Sequence, residues 1–453
     1  MQRALPLLRR QITLSDALAD DDNVLQELSY PEQRFEFYLY LYQQRTVIES
    51  IVSYHLNLNK NQTCRVGEVK DWIAGSFNVC IPVHIDGHSD KAPKRVLIRF
   101  PLPYKFTEIE QTPFFERLKW YFHRLVSSVF RHPLRPPYSR RNCPFNLTTG
   151  YHIMDHIGGA DSVMLSESWD KLRHDQRRRT NLFRGMSQIM LSLAQSPSDR
   201  IGSLTINNEG IIEHTNRPLT LRLHHLENES VPTSMDRDLT YSTSDSYFMD
   251  LLSYQDSRLR HAPNSIRDTA DGEAQLATPT VMRALLPQFS CRNYRRGPFI
   301  MTLTDLHQSN IFVDSAWNIK SLVDLEWTCS LPVEMLHPPY WLTSRGVDML
   351  FQGEHLDALS TVHAEFINFW YFHALASPKG LYNIFLEHIQ TRFLKLDDTG
   401  MVEFERTISP YRTPGMKKFL EGKLQDKENY EARLRDLFAA AQEEPPSSGS
   451  PAS

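Results

Sequence analysis

Asp305, Asn310 and Asp324 are the residues whose types and spacing suit a reaction. They lie in TLTDLHQSNIFVD (302–314) and LVDLEW (322–327). The chemistry they suit is phosphoryl transfer. Its transition state spreads negative charge over oxygens and asks the protein for little covalent help. One carboxylate must orient the attacking hydroxyl, and oxygen ligands must hold Mg²⁺ against the phosphates. A kinase-like site supplies these with a D-x-x-x-x-N loop and a later Asp beyond the next strand. Here Asp305 precedes Asn310 by five positions, and IFVD and IKSLVD read as two short apolar strands folded into a hairpin around SAWN, with Asp324 at the end of the second. A D-x-x-x-x-N match alone says little; the hairpin and the second Asp give it weight. In the plainer alternative, Asp305 and Asn310 cap turns and Asp324 caps a strand end.

These residues need a scaffold, and the pattern along the chain supplies one. Residues 20–60 are helical in pattern, with Pro31 breaking the run early. Strand-like stretches follow: VKDWIAGSFNVCIPVHIDG, KRVLIRFPL and YHIMDHI, which place a β-rich lobe at about 68–155. After Gly158 the texture turns helical. Leu182, Phe183, Met186, Ile189, Met190 and Leu193 form a stripe that reads as the core face of a helix. The preceding Arg177, Arg178 and Arg179 read as a solvated face. Residues 203–297 are polar and turn-rich, with one helix expected near 246–260. More helices are expected from about 359 to 394, and the Pro- and Ser-rich end EEPPSSGSPAS reads as disordered.

The 453 residues are long enough for two or three domain-sized units. A net charge of −4 gives no reason to expect a nucleic-acid binder. Cys64, Cys80, Cys143, Cys291 and Cys329 are scattered without a C-x-x-C pair, which argues against a zinc site and fits a reducing, cytoplasmic setting. No apolar run is long enough for a transmembrane helix. The opening MQRALPLLRRQITLSDALAD has three arginines and no acid before Asp16, so a weak mitochondrial presequence stands beside the reading as a surface helix.

The segment LTDLHQSNIFVD, with LVDLEW after it, resembles the aminoglycoside phosphotransferase-like family, relatives of choline and fructosamine kinases, and in particular its fungal branch. WIAGSFNVC, VLIRFPLP, GYHIMDHIGG, RPLTLRLHHLENE and HPPYWLTSRGVD extend the likeness over most of 65–350. The resemblance implies an α+β, two-lobed, protein-kinase-like fold: a small N-lobe with an antiparallel sheet and a larger, mainly helical C-lobe. The implied divisions are a helical extension at 1–64, an N-lobe at 65–156, a C-lobe at 157–435 with an insertion at about 203–297, and a disordered tail at 436–453. The implied activity is ATP-dependent phosphorylation of a hydroxyl on a small molecule. Asp305 would be the catalytic base, and Asn310 and Asp324 the Mg²⁺ ligands. Gly75, Ser76 and Phe77 would cover the phosphates, Arg99 would take the place of the phosphate-binding Lys, and Asp155 and His156 would offer backbone groups to adenine.

The chain departs from the family in two places. Leu303-Thr304 stands where the family has His-Gly. The N-lobe reads as truncated, without the helix whose Glu pairs with the lobe's cation, a pairing that kinase sites need. Glu108, Glu110 and Glu116 are the only carboxylates at hand to replace it, and the basic run Arg131, Arg135, Arg140, Arg141 reads as surface loop. A second reading therefore stays open: a catalytically impaired, pseudokinase-like protein that binds a nucleotide or a partner.

Overall fold

The chain begins with a short hairpin, β1 (Leu5–Pro6) and β2 (Gln11–Ile12), followed by α1 (Leu14–Ala19), α2 (Val24–Glu27), α3 (Tyr30–Gln43) and α4 (Arg45–Leu56). The structure is a computed structural model that describes residues 4–87, 94–105, 143–159, 161–207, 211–343, 363–377 and 379–443. Pro31 opens α3 instead of breaking a helix: in the first turn its missing N–H costs nothing.

Next comes an antiparallel sheet of β3 (Thr63–Val66), β4 (Ile73–Ala74), β5 (Asn78–Asp86), β6 (Lys94–Pro101) and β7 (His152–Asp155), in the order β3-β5-β6-β7 with β4 also paired to β5. Side chains alternate faces along a strand. Val79, Ile81, Val83 and Ile85 on β5, with Val96, Ile98 and Phe100 on β6, turn to one face. There they form one core with Phe37, Leu41, Ile48, Ile51 and Val52 of α3 and α4. The register pairs Cys80 with Arg99 and Arg99 with His152, so these alternate residues face the other way. Arg99 thus points away from the helices because its neighbours Ile98 and Phe100 point toward them.

The remainder mixes helices with small antiparallel sheets. β8 (Val163–Met164) leads into helices Leu165–Leu172 and Gln176–Ala194, then the hairpin β9 (Ser203–Ile206) and β10 (Ile212–Asn216). Helices Leu221–Asn228, Ser244–His261 and Thr269–Phe289 follow. Then come β11 (Phe299–Leu303), β12 (Ile311–Val313), β13 (Ile319–Leu322) and β14 (Thr328–Pro332). A largely helical end closes the chain with His363–Leu375, Asp398–Ile408 and Met416–Glu443. Leu182 and Met186 are buried in a core with Trp169, Ile311, Val313 and Trp317, as the stripe in 182–193 suggested. All five cysteines are free.

Three expectations about organisation need correction. Residues 1–64 are not an appended extension: α3 and α4 cover the sheet, and β3 straddles the expected boundary at 64/65. Residues 203–297 hold three helices where one was expected. The missed Thr269–Phe289 carries Pro279 and Pro287 inside it, residues that normally end helices. Side chains of this region, among them Leu226, Phe248, Leu252, Met282 and Phe289, sit in the largest core among the described residues. The expected tail at 436–453 is helical as far as Glu443, with Phe438 buried against Ile12 and Val24. Residues 444–453, Glu108, Glu110, Glu116 and the 131–141 basic run lie outside the described residues.

Candidate active site

Two nested antiparallel pairings bring Asp305 and Asp324 together. The outer pair is β11 with β14, in register from Phe299↔Pro332 to Leu303↔Thr328. The inner pair is the expected hairpin, β12 with β13, running from Ile311↔Leu322 to Val313↔Ile319. The segments between the two ladders, 304–310 and 323–327, must therefore lie side by side. Backbone bonds hold them there: Val323 N donates to Asn310 O at 3.0 Å, and Thr304 N to Trp327 O at 3.1 Å. The hairpin turn is locked by Asp314, whose Oδ1 accepts from the N–H groups of Ala316 and Asn318. Trp317 in that turn is buried, stacks on Trp169, and donates to Ser168 Oγ at 3.0 Å.

Within this frame Asn310 is buried, and its Nδ2 donates to Asp305 O at 2.8 Å and lies 3.5 Å from Asp305 Oδ2. His307 Nε2 stands 3.6 Å from Asp305 Oδ1. Two contacts brace the loop in a chain that lacks His-Gly before the Asp. Thr304 Oγ1 donates to Trp327 O at 2.7 Å, and Trp341 Nε1 donates to Leu306 O at 2.9 Å. Asp324 has a left-handed backbone, φ 57°, a conformation that Asp tolerates better than most residues. Such backbones concentrate at functional sites.

Arg99 reaches this loop from β6. Its Nη2 lies 2.9 Å from Asp324 Oδ1 and also bonds Glu326 Oε1, while Nη1 donates to Glu326 Oε2 at 3.3 Å. Asn78 Nδ2, at the start of β5, donates to the same Glu326 carboxylate at 3.2 Å. The Arg99 side chain is 11% exposed, against 42% for Asp324 and 35% for Glu326. A cation on the sheet is thus tied to two carboxylates of the 324–327 segment.

Gly75, Ser76 and Phe77 form the tight connection between β4 and β5, with Gly75 N donating to Asn78 O at 2.8 Å. Ser76 Oγ accepts from Arg9 at 3.1 Å. Phe77 is buried between His224, His225 and Trp327. The turn therefore rests on the 324–327 segment. Asp155 ends β7 opposite Val96, three ladder positions from the Arg99–His152 pair, and His156 follows in the connection to β8. The structure joins Asp305 to Asn310 and Arg99 to Asp324 by direct contact, links the two pairs through the Val323–Asn310 backbone bond, and sets the 75–77 turn beside them through Trp327. Asp155 and His156 lie farther along the sheet.

Burial raises the Asp305 carboxyl above its ordinary range; His307 opposes this, and Asp324 adds to it. Burial likewise raises Asp324, opposed mainly by the Arg99 guanidinium and reinforced by Glu326. Two carboxylates, Asp324 and Glu326, share the Arg99 guanidinium, and Asp305 adds a third close to Asp324, so the cluster has more acids than the one arginine offsets. Among the described residues, no three His, Cys, Asp or Glu side chains are gathered to hold a metal on their own. Mg²⁺ does not need such a cage, since it keeps waters and takes one or two protein oxygens beside phosphate.

Sequence reasoning missed Glu326, Thr304 and Trp341. The signal for Glu326 was visible as an acid two positions after Asp324 in an otherwise apolar run. Thr304 and Trp341 carry no comparable signal, because only the tertiary contacts give them a role. Compared with known proteins, the chain matches no family model, and no curated protein matches it. Among the described residues, no helix is long and apolar enough to cross a membrane.

Proposed function

We propose that the chain is an ATP-dependent phosphotransferase of two-lobed, kinase-like architecture, akin to the aminoglycoside phosphotransferase-like family. It would move the γ-phosphoryl group to a hydroxyl of a small molecule. The observation that carries the reading is the contact of Arg99, from the sheet, with Asp324, which the nested hairpins set beside Asp305 and Asn310. A phosphate-facing cation, a metal-binding pair and a base are the parts such a reaction requires.

In this reading Asp305 orients the acceptor hydroxyl and takes its proton, and its raised pKa brings it closer to that task at neutral pH. Asn310 and Asp324 would hold Mg²⁺, whose charge would offset that of the phosphates. Arg99 clamps phosphate with a permanent charge and a forked donor set. Glu326 takes the orienting part that a helix carboxylate plays in kinase sites: it holds the guanidinium in place from the 324–327 segment. The sheet then has an oriented cation. The 75–77 turn would close over the phosphates, and Asp155 and His156 would offer backbone groups to adenine.

The test is calorimetry of ATP with and without Mg²⁺, on the wild type and Asp324→Ala. Metal-dependent binding that disappears in Asp324→Ala is the expected result. The impaired-kinase reading draws on one observation, that the Arg99 guanidinium is already engaged by Asp324 and Glu326. It is favoured if ATP binds without metal dependence. Absence of ATP binding to the wild type refutes the phosphotransferase reading.

A further inference from the structure

Far along the chain from these residues, a cavity of about 140 Å³ lies between the end of helix Ser244–His261, the first half of helix Thr269–Phe289 and residues 379–383. Arg258, Arg267 and Lys379 line it, together with Asp21, Asp271 and Gln275. Arg258 is the unusual member. It makes one side-chain hydrogen bond, from Nη2 to the neutral Gln275 Oε1. Its Nε is shut away from solvent and bonds nothing.

The Nε atoms of Arg173 and Arg179 are also buried and unbonded, but neither residue lines this cavity, and three other deep arginines have partners. Arg283 reaches Asp256 and Arg217 reaches Glu227, each at 2.6 Å. Arg222 donates to Ala376 O and to Ser377 Oγ. Arg258 has no carboxylate at ion-pairing distance among the described residues, and burial depresses its pKa. A guanidinium stays charged at any physiological pH, so leaving its donors unfilled away from water is costly.

The carboxylates at the cavity do not meet this need. Asp271 is turned to its own donors, Arg267 N at 2.8 Å and Gln275 Nε2 at 3.0 Å. Asp21 is exposed. Lys379 is already paired with Asp22 and Glu229. From the cavity, its polar lining and the under-bonded Arg258, we infer that this is a binding site for a small oxyanion, with Arg258 as its central donor. A free phosphate or a carboxylate would meet the remaining Nη donors, while the enclosed Nε stays out of its reach.

The full-length chain in chloride buffer is titrated with inorganic phosphate and, separately, with acetate at matched ionic strength, followed by thermal shift and calorimetry. One of the two anions raises the unfolding midpoint, since a ligand bound only by the native state stabilises it. The stronger of the two assigns the source. Arg258→Gln weakens that binding at least about tenfold, the size expected for a lost charge-assisted contact. Asn383→Asp, at an exposed position lining the same cavity, weakens it without disturbing the core and decides the matter if Arg258→Gln does not fold. No effect of either anion beyond that of chloride overturns the inference. So does undiminished binding by a folded Arg258→Gln or by Asn383→Asp.

Discussion

A double-mutant cycle on Arg99 and Glu326 tests the contact on which the site depends. Two unit charges about 4 Å apart, at an effective dielectric constant of about 20, attract by about 4 kcal/mol. Most of that is returned. Arg99, only 11% exposed, has given up much of its hydration, and Glu326, 35% exposed, keeps water nearby as an alternative partner. The net coupling expected is about 1–2 kcal/mol. Arg99→Gln alone costs about 2–3 kcal/mol, because it leaves Asp324 and Glu326 facing each other without a cation. Glu326→Gln costs about 1–2 kcal/mol, as Asp324 still holds the arginine. The double variant costs less than the sum. The assay is urea unfolding followed by tryptophan fluorescence, with Trp327 next to Glu326 as one reporter. The exposed pair Arg178–Asp175 serves as the comparison and couples by under about 0.5 kcal/mol. An Arg99–Glu326 coupling below about 0.3 kcal/mol refutes the reasoning, since the sheet and the 324–327 segment would then not be joined as described.

Other consequences are as direct. Asp305 has a folded-state pKa above its unfolded value, so the folded state loses stability as pH rises from the unfolded value through the folded one. Asp305→Asn is therefore more stable than wild type at neutral pH, and the difference fades on acidification below about pH 4; parallel urea titrations at several pH values check this. His224 is held neutral by burial, with its pKa lowered to about 4. Its contribution is complete above the ordinary value of about 6.5 and is lost as pH falls from there toward about 4, so His224→Gln flattens the acid side of the stability profile. Phe77→Ala empties the buried seat between His224, His225 and Trp327 and costs about 3–5 kcal/mol, measured by the same unfolding assay.

Local signals carried the site's core. The D-x-x-x-x-N loop, the hairpin around SAWN and the second Asp are near in sequence, and short-range strand pairing decides their geometry. The helical stripe at 182–193 was legible for a similar reason, because its period declares its buried face. Thr269–Phe289 was hidden because its two prolines oppose the helix locally, while burial of Leu276, Met282, Leu286 and Phe289 favours it globally. The last turns of Met416–Glu443 were misjudged on composition: Phe438 becomes a core residue only when Ile12 and Val24 arrive from the other end of the chain.

The sequence by itself determined which residues could serve the proposed phosphoryl transfer and that strands and helices alternate around them, since residue type and period are local properties. Tertiary structure alone decided that Arg99 faces Asp324 and that Glu326 shares it. The partners are more than two hundred positions apart. Their meeting depends on which face of β6 is turned to α3 and α4, and that choice is made by the core as a whole.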